Sequence, residues 1–557
     1  MLEIQFHDAF QQFAALLLLS ALIGLIATRL RQPLIVAFIA VGILVGPSLL
    51  GWVDDSTAVD LLAEIGIALL LFVVGLKLDL HLIRTMGPVA LATGLGQVIF
   101  TSVVGYLIAL ALGMSQITAI YVAVALTFSS TIIIVKLLSD KREIDALHGR
   151  IAVGFLIVQD IMVVLAMILL SAFGAGSGEA NLAMEIGLVL LTGIGMLVGV
   201  GLLMRYVLPV VLPHLARSQE LLVLASIALA VAMATAGELL GFSKEVGAFL
   251  AGVALASTPY REAIGARLVS LRDFLLLFFF IALGSKLDMG TLGGQVGPAL
   301  LFSLFVLIGN PLIVMTIMGY MGYRKRTGFL AGLTVAQISE FSLILAALGL
   351  SLGHIDTETV GLVTLVGLIT IGLSTYMILY SHPLYERLAP WLGIFERREP
   401  FRELQLDGKD APKEADVIVF GLGRYGSNVA EGMRQHGYEV LGVDFDPETV
   451  NNWQLRGLPA HYGDAEDPEF PATLPLREAR WVISTMPQRE INLTLLHALR
   501  AHGYQGRVAL AAHNRLDADY LQAANVDLVL MPFADAADKA VLTLDEHMTR
   551  EASGETV

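Results

Sequence analysis

The first 381 residues are a succession of thirteen apolar stretches, most long enough to approach the about 20 residues that carry a helix across a bilayer. They lie near 9–28, 34–51, 59–78, 88–112, 117–139, 147–172, 181–211, 221–240, 245–258, 268–286, 294–321, 327–352 and 358–381. Hydrocarbon offers no partner to a backbone N–H or C=O, so each stretch must be helical. The short ones, 34–51 and 245–258, are read as broken or tilted. Composition agrees: 56% of residues are hydrophobic and 15% charged, against about 25% charged in soluble proteins. The expected fold is a polytopic α-helical membrane protein. No cysteine is present, which excludes disulfides, thiolate metal sites and cysteine nucleophiles. The opening Met1-Leu2-Glu3 lacks a basic leader, so the first stretch is expected to be retained.

Basic residues give these helices a direction. Alternate connections carry Arg29 and Arg31; Lys77 and Arg84; Lys136, Lys141, Arg142 and Arg150; Arg205 and Arg217; Arg261 and Arg267; and Arg324 to Arg326. The other connections hold little beyond Lys244 and Lys286. Short loops rich in Lys and Arg stay cytoplasmic. An N-terminus outside, an odd number of spans and a cytoplasmic C-terminal domain follow.

Three segments recur in order. Ala37-Phe38-Ile39-Ala40 returns as Ala248-Phe249-Leu250-Ala251, and Gly75-Leu76-Lys77-Leu78-Asp79 as Gly284-Ser285-Lys286-Leu287-Asp288. Leu126-Thr127 with Ser129-Ser130 returns loosely as Leu333-Thr334 with Gln337. On this topology the copies run in opposite directions through the membrane. Inverted repeats of this kind build secondary transporters, whose substrate binds near the midplane where discontinuous helices cross.

Ionisable groups inside spans are costly and mark function. Asp160 lies mid-span, with Leu156, Ile157, Val163 and Val164 at helical spacing and no basic neighbour. A carboxylate so placed can hold a proton or a dehydrated monovalent cation, and competition between the two is the physics of antiport. Gln159 precedes it. Thr127, Ser129 and Ser130 put hydroxyls in the middle of the fifth span, where they can coordinate an ion or re-bond an interrupted backbone. Gln337 and Glu340 answer in the twelfth span, and Asn310-Pro311 marks a kink in the eleventh. These three are assigned to support of the crossing, with Glu340 neutralising a helix N-terminus.

From Ala411 the pattern becomes soluble α/β. Of the net charge of −15, −11 lies from Phe401 onward, with 25 acidic against 14 basic residues. That argues against nucleic acid as a partner. A strand at Asp416–Phe420 leads into Gly421-Leu422-Gly423-Arg424-Tyr425-Gly426, a helix, and a second strand ending near Asp444. This order is a dinucleotide fingerprint: the glycines allow phosphate to approach and the acid takes ribose hydroxyls. Asp464, after a third strand, is placed at the adenosine, and Arg424 at phosphate. With no substrate domain following, regulation rather than hydride chemistry is expected, and the chain is not read as an enzyme.

Val41–Pro47, Ala248–Val253, Phe278–Gly284 and Gln159-Asp160 resemble the monovalent cation:proton antiporter-2 family, specifically Kef-type antiporters. Gly421–Gly426, Asp444 and Gly463-Asp464-Ala465 resemble their cytoplasmic RCK (TrkA-N) domain. The resemblance implies a homodimer in a bacterial inner membrane, alternating access by rocking of a core against a dimerisation domain, and gating by an adenine nucleotide (AMP, ATP or NAD(H)). It implies ion binding at Asp160, with K⁺ or Na⁺ as cargo. Gln159 in place of a second Asp resembles the electroneutral members. Asn310 stands where relatives carry a basic residue, and the glutathione-binding residues of the best-known members have no clear match around Ala511-Ala512-His513-Asn514.

The expected domains are an exchanger at 1–385, a linker at 386–413, an RCK domain at 414–533 and a tail at 534–557. Two rival readings are weighed. A nucleotide-gated potassium channel lacks its Thr-Val-Gly-Tyr-Gly filter. A membrane-bound NAD-dependent oxidoreductase lacks a recognisable quinone, flavin or metal site.

Overall fold

The computed structural model describes residues 9–47, 49–52, 57–77, 87–141, 143–144, 146–174, 192–193, 195–196, 198–240, 242–287, 292–397, 414–467 and 470–552. The chain forms two compact units, one helical and drawn from most of the residues up to Glu396, the other α/β and built mainly of the residues from Arg397 onward.

In the helical unit each predicted apolar stretch holds a helix or a broken pair. The first group is α1 (Ala9–Arg29), α2 (Leu34–Val45), α3 (Thr57–Lys77), α4 (Gly87–Ala111), α5 (Gln116–Ala125), α6 (Thr131–Asp140) and α7 (Leu147–Gly174). The stretch at 181–211 enters through a π-helical turn, Leu203–Val207, into α8 (Leu208–Leu215); its residues 181–191 lie outside the described ones. Then come α9 (Gln219–Leu239), α10 (Lys244–Ala256), α11 (Arg261–Ser285), α12 (Leu292–Leu304), α13 (Asn310–Tyr320), α14 (Lys325–Leu333), α15 (Glu340–Ser351), α16 (Thr357–Leu379) and α17 (Ser381–Leu392). Among the described residues, nine helices are long and apolar enough to cross a membrane, and α2, α5 and α15 are shorter apolar helices. Of the two Lys-Leu-Asp turns, Lys286 caps the end of α11, while residues 78–79 and Asp288 lie outside the described ones.

The repeat seen in the sequence is a repeat of elements. The run α2, α3, α4, the pair α5/α6, and α7 returns as α10, α11, the pair α12/α13, the pair α14/α15, and α16. Its ends are offset by 210 residues, Leu34 against Lys244 and Leu147 against Thr357. The copies interlock through glycine. A Cβ on Gly42 of α2 would strike the Ile281 carbonyl of α11, and one on Gly284 would strike that of Ile39. A Cβ on Gly75 of α3 would strike the Phe249 carbonyl of α10, and one on Gly252 that of Phe72. The offset exchanges these two crossings. In an apolar solvent, packing rather than hydrophobic burial joins helices, and small residues let backbones touch.

α12 and α13 are separated by a π-helical turn, Phe305–Gly309, directly before Asn310-Pro311. Pro311 lacks a donor and cannot continue the i→i−4 ladder regularly.

The α/β unit is one parallel sheet ordered β3-β2-β1-β4-β5-β6. Its strands are β1 (Val417–Phe420), β2 (Val440–Asp444), β3 (Ala460–Tyr462), β4 (Trp481–Ser484), β5 (Arg507–Ala511) and β6 (Leu528–Leu530). β1 and β2 are buried throughout, which accounts for their continuous apolar runs. The order reverses direction at β1, and the crevice beyond the strand ends there is where such sheets bind nucleotides.

Candidate functional site

Among the described residues, two helices of the membrane unit break into non-helical backbone, and both breaks are capped. Between α5 and α6 the chain leaves helical geometry over Leu126–Ser130. The Ser130 hydroxyl accepts from the Ile133 N–H at 3.3 Å. Between α14 and α15 it does so over 334–339, where Ser339 accepts from the Phe341 N–H at 3.2 Å and Ser342 completes a capping box. Each break exposes a helix N-terminus with unbonded N–H groups and positive dipole charge in the interior.

Asp160 comes to the first break from α7. Its Oδ2 accepts from the Thr131 hydroxyl, the first residue of α6, at 3.0 Å. The carboxyl is half-buried and lines a cavity of about 570 Å³, as do Thr131, Glu340, Lys77 and Arg272. Arg272 is 4% exposed and donates through Nε and a terminal nitrogen to Asp273. Among the described residues, no ion pair joins Lys77 or Arg272 to Asp160 or Glu340. An acid at a helix N-terminus that lines a cavity and, among the described residues, has no fixed counter-ion can exchange a proton for a cation.

The other residues selected from the sequence divide by their bonds. Gln159, next to Asp160, is fully engaged: its Oε1 accepts from the Ser129 backbone N–H at 2.9 Å, and its Nε2 donates to Gln97 Oε1 at 2.7 Å. Gln97 Nε2 donates to the Thr127 carbonyl and to the Thr101 hydroxyl, both at 3.1 Å. Thr101 donates to Asn310 Oδ1 at 2.7 Å, and Asn310 Nδ2 donates to the Val335 carbonyl at 3.3 Å. An unbroken line of buried amides and hydroxyls therefore joins the backbone of one break to that of the other. The Thr127 hydroxyl donates to the Ala123 carbonyl at 2.9 Å and lies 3.0 Å from Ser102 Oγ. Gln337 Oε1 accepts from Ser374 Oγ at 2.7 Å.

Three buried polar atoms at the breaks have no hydrogen-bond partner: Ser129 Oγ, Gln337 Nε2 and Glu340 Oε1. Thr131, not Thr127, Ser129 or Ser130, is the hydroxyl bonded to Asp160. Gln97, Thr101, Lys77 and Arg272 were likewise not selected from the sequence. The interior amide of Gln97 was the available signal, since an uncharged polar residue inside an apolar span needs a partner.

In the α/β unit the glycine turn lies at the end of β1. Gly421 has φ +85°, a region closed to most side chains, and a Cβ there would lie 2.8 Å from Thr485 Oγ1. A Cβ on Gly426 would strike the Gly421 carbonyl, whereas Gly423 faces open space. That leaves a cradle at the N-terminus of the helix Arg424–Gln435, suited to an anion. Asp444 holds the turn from β2: its Oδ2 accepts from the Leu422 N–H at 2.6 Å and its Oδ1 from the Asp446 N–H at 2.9 Å. Burial pushes its carboxyl pKa up. Arg424 is exposed beside the turn, and Asp464 accepts from the Glu466 N–H at 2.9 Å.

Comparison with known proteins agrees with both halves. The family described as "Sodium/hydrogen exchanger, transmembrane" matches residues 15–379, and the TrkA-N domain matches residues 417–532. The putative cation/proton antiporter YbaL of Escherichia coli is 27% identical over 527 residues, 92% of this chain and 93% of its own. The putative K⁺ efflux antiporter KefB of Alkalimonas amylolytica is 28% identical over 85% of this chain and 72% of its own. The iron transporter MagA of Paramagnetospirillum magneticum is 31% identical over 67% of this chain and 86% of its own. The sequence resemblance thus holds across both units. With its broken helices, its mid-span Asp160 and its appended α/β domain, the chain belongs to the sodium/hydrogen exchanger family of membrane carriers, which exchange a monovalent cation for protons.

Proposed function

We propose that this carrier exchanges K⁺ for protons, one for one, and that Asp160 is the carboxylate for which the two compete. The observation that carries this reading is Asp160 bonded to Thr131 at a half-helix N-terminus and open to a cavity. Gln159 beside it, and Asn310 further along the same line of hydrogen bonds, are neutral and engaged with protein, which supports a single unit of charge per cycle. The relative named for K⁺ efflux supports K⁺ as cargo. The hydroxyls of Thr127, Ser129 and Ser130 and the amide of Gln337 hold the crossing in shape, with Ser129 Oγ left to meet the ion. The positive loops support an N-terminus outside and a cytoplasmic α/β domain in a bacterial inner membrane.

The α/β domain is regulatory in this reading. Gly421, Gly423 and Gly426 form the phosphate cradle, Arg424 reaches phosphate, and Asp444 and Asp464 take the sugar hydroxyls of an adenine nucleotide. Such a ligand would gate the exchanger without being consumed, and a homodimer would couple two gates.

The test is dequenching of a pH-sensitive dye in everted vesicles preloaded acid inside, with K⁺ and then Na⁺ added. Wild type should respond to K⁺, and Asp160→Asn should lose at least about 99% of the response, the cost of removing the transported charge's ligand. Proton-coupled transport surviving in Asp160→Asn would remove Asp160 from the site. Equilibrium dialysis with AMP, ATP and NADH tests the second part: Asp444→Ala should weaken binding about tenfold or more, and equal binding to both proteins would refute it.

A further inference from the structure

Glu340 is 1% exposed, and one of its oxygens, Oε1, has no hydrogen-bond partner. The other accepts from Ser339 Oγ at 3.4 Å, a long bond. A buried carboxylate oxygen without a donor is expensive wherever it merely caps a helix, because the helix offers its own N–H groups to satisfy it. Here the unsatisfied carboxyl lines the cavity that holds Asp160. The two acids arrive at that cavity from the two breaks of the repeat, one beside the N-terminus of α6 and one as the first residue of α15. Both therefore face the same cavity, each at its own helix break. The charged groups facing them are Lys77 at the end of α3 and, on α11, Arg261, Glu262 and Arg272. Arg272 is committed to Asp273, and Lys77 is exposed.

We propose that Glu340 is a second ligand of the transport site, sharing one proton with Asp160 when the ion is absent and sharing the cation with it when the ion is bound. This rests on the assignment of Asp160. Two carboxylates that line one cavity of low dielectric do not ionise independently, so in this proposal the empty pair retains one proton and carries one negative charge. An arriving cation displaces that proton into the cavity water. The pair then carries two negative charges and one positive, again a net of one. The occupied site therefore has the same charge in both halves of the cycle, and exchange stays one for one although two acids take part.

The test uses the full-length protein. In proteoliposomes, Glu340→Gln should retain exchange at saturating K⁺ while its KM for K⁺ rises about tenfold, the effect of losing one charged ligand. Its rate profile should differ from that of wild type in its dependence on pH, since one carboxyl rather than two then holds the proton. In detergent, calorimetric titration with K⁺ in buffers of different ionisation enthalpy counts released protons. Asp160→Asn should still bind K⁺ weakly with proton release, and Asp160→Asn/Glu340→Gln should not. A helix-capping role alone predicts no proton-linked K⁺ binding in Asp160→Asn and an unshifted KM in Glu340→Gln; either result overturns the proposal. If Glu340→Gln is not monodisperse, Glu340→Asp replaces it, with a smaller KM shift expected and none refuting the idea. Exchange surviving in Asp160→Asn but lost with Glu340 would instead refute the role given to Asp160.

Discussion

The two broken helices occupy equivalent places, Thr131 opening α6 and Glu340 opening α15 one repeat later in the element order, yet they are stabilised by different means. Both are capped by serine, Ser130 and Ser339, because any interior helix start must satisfy its first N–H groups. The first break brings no acid of its own. Its charge comes from Asp160 on α7, and its backbone is tied by Gln159 to Ser129 and by Gln97 to Thr127. The second begins on an acid, and its backbone is tied by Asn310 to Val335 and by Thr370, whose hydroxyl accepts from the Ile338 N–H at 3.3 Å. The repeat supplies the interruption and the caps. What each copy adds separately is the placement of charge, and that is where exchange chemistry enters.

Four substitutions sharpen this contrast. The largest effect is expected from Gln97→Leu, which removes the contacts to Gln159, Thr101 and the Thr127 carbonyl together. At about 1 kcal/mol for each bond plus the orphaned partners, it should cost about 3 kcal/mol or more in thermal unfolding. A loss below about 1 kcal/mol would mean that the first break holds itself. Next come the caps. Ser339→Ala should cost more than Ser130→Ala, about 1 kcal/mol for the single cap and more for the capping box. Equal losses would show that the acid, not the box, supports α15.

The smallest effect concerns the far end of α6. Burial favours the neutral form of the Glu143 carboxyl, but hydrogen bonds from His148 and His382, with Lys141 beside it at 2.8 Å, outweigh that and hold its pKa below the ordinary 4.5. A carboxyl with a depressed folded-state pKa adds stability above its unfolded pKa and loses it as pH falls toward the folded one. Wild type should therefore lose thermal stability below about pH 4.5 more steeply than Glu143→Gln. Parallel slopes would show that the cluster contributes nothing.

The fold was legible because its determinants are local. Thirteen apolar lengths, a kink at Asn310-Pro311 and a strand–glycine–helix–strand–acid order are each read within about 30 residues of sequence. Asp160 stood out for the same reason, as a charge in an apolar window. The wiring around it was not legible. Gln97 meets Gln159 across 62 residues and Thr101 meets Asn310 across 209, so their pairing depends on how helices pack. Thr131 was passed over for its neighbours because which of five consecutive residues faces α7 is decided by where the helix restarts. Lys77 was read as a charge of a connecting loop, and only the packed structure places it, with Arg272, on the cavity.

The glycine crossings have a mechanical consequence. α2 touches α11, α11 touches α3, and α3 touches α10, with carbonyl against glycine at both equivalent crossings. Backbones seated this closely cannot slide past one another without a carbonyl climbing over a neighbouring Cα. The four helices therefore behave as a keyed plate: a push on any one is delivered to the other three, and compliance is left to the joints where the helices are interrupted.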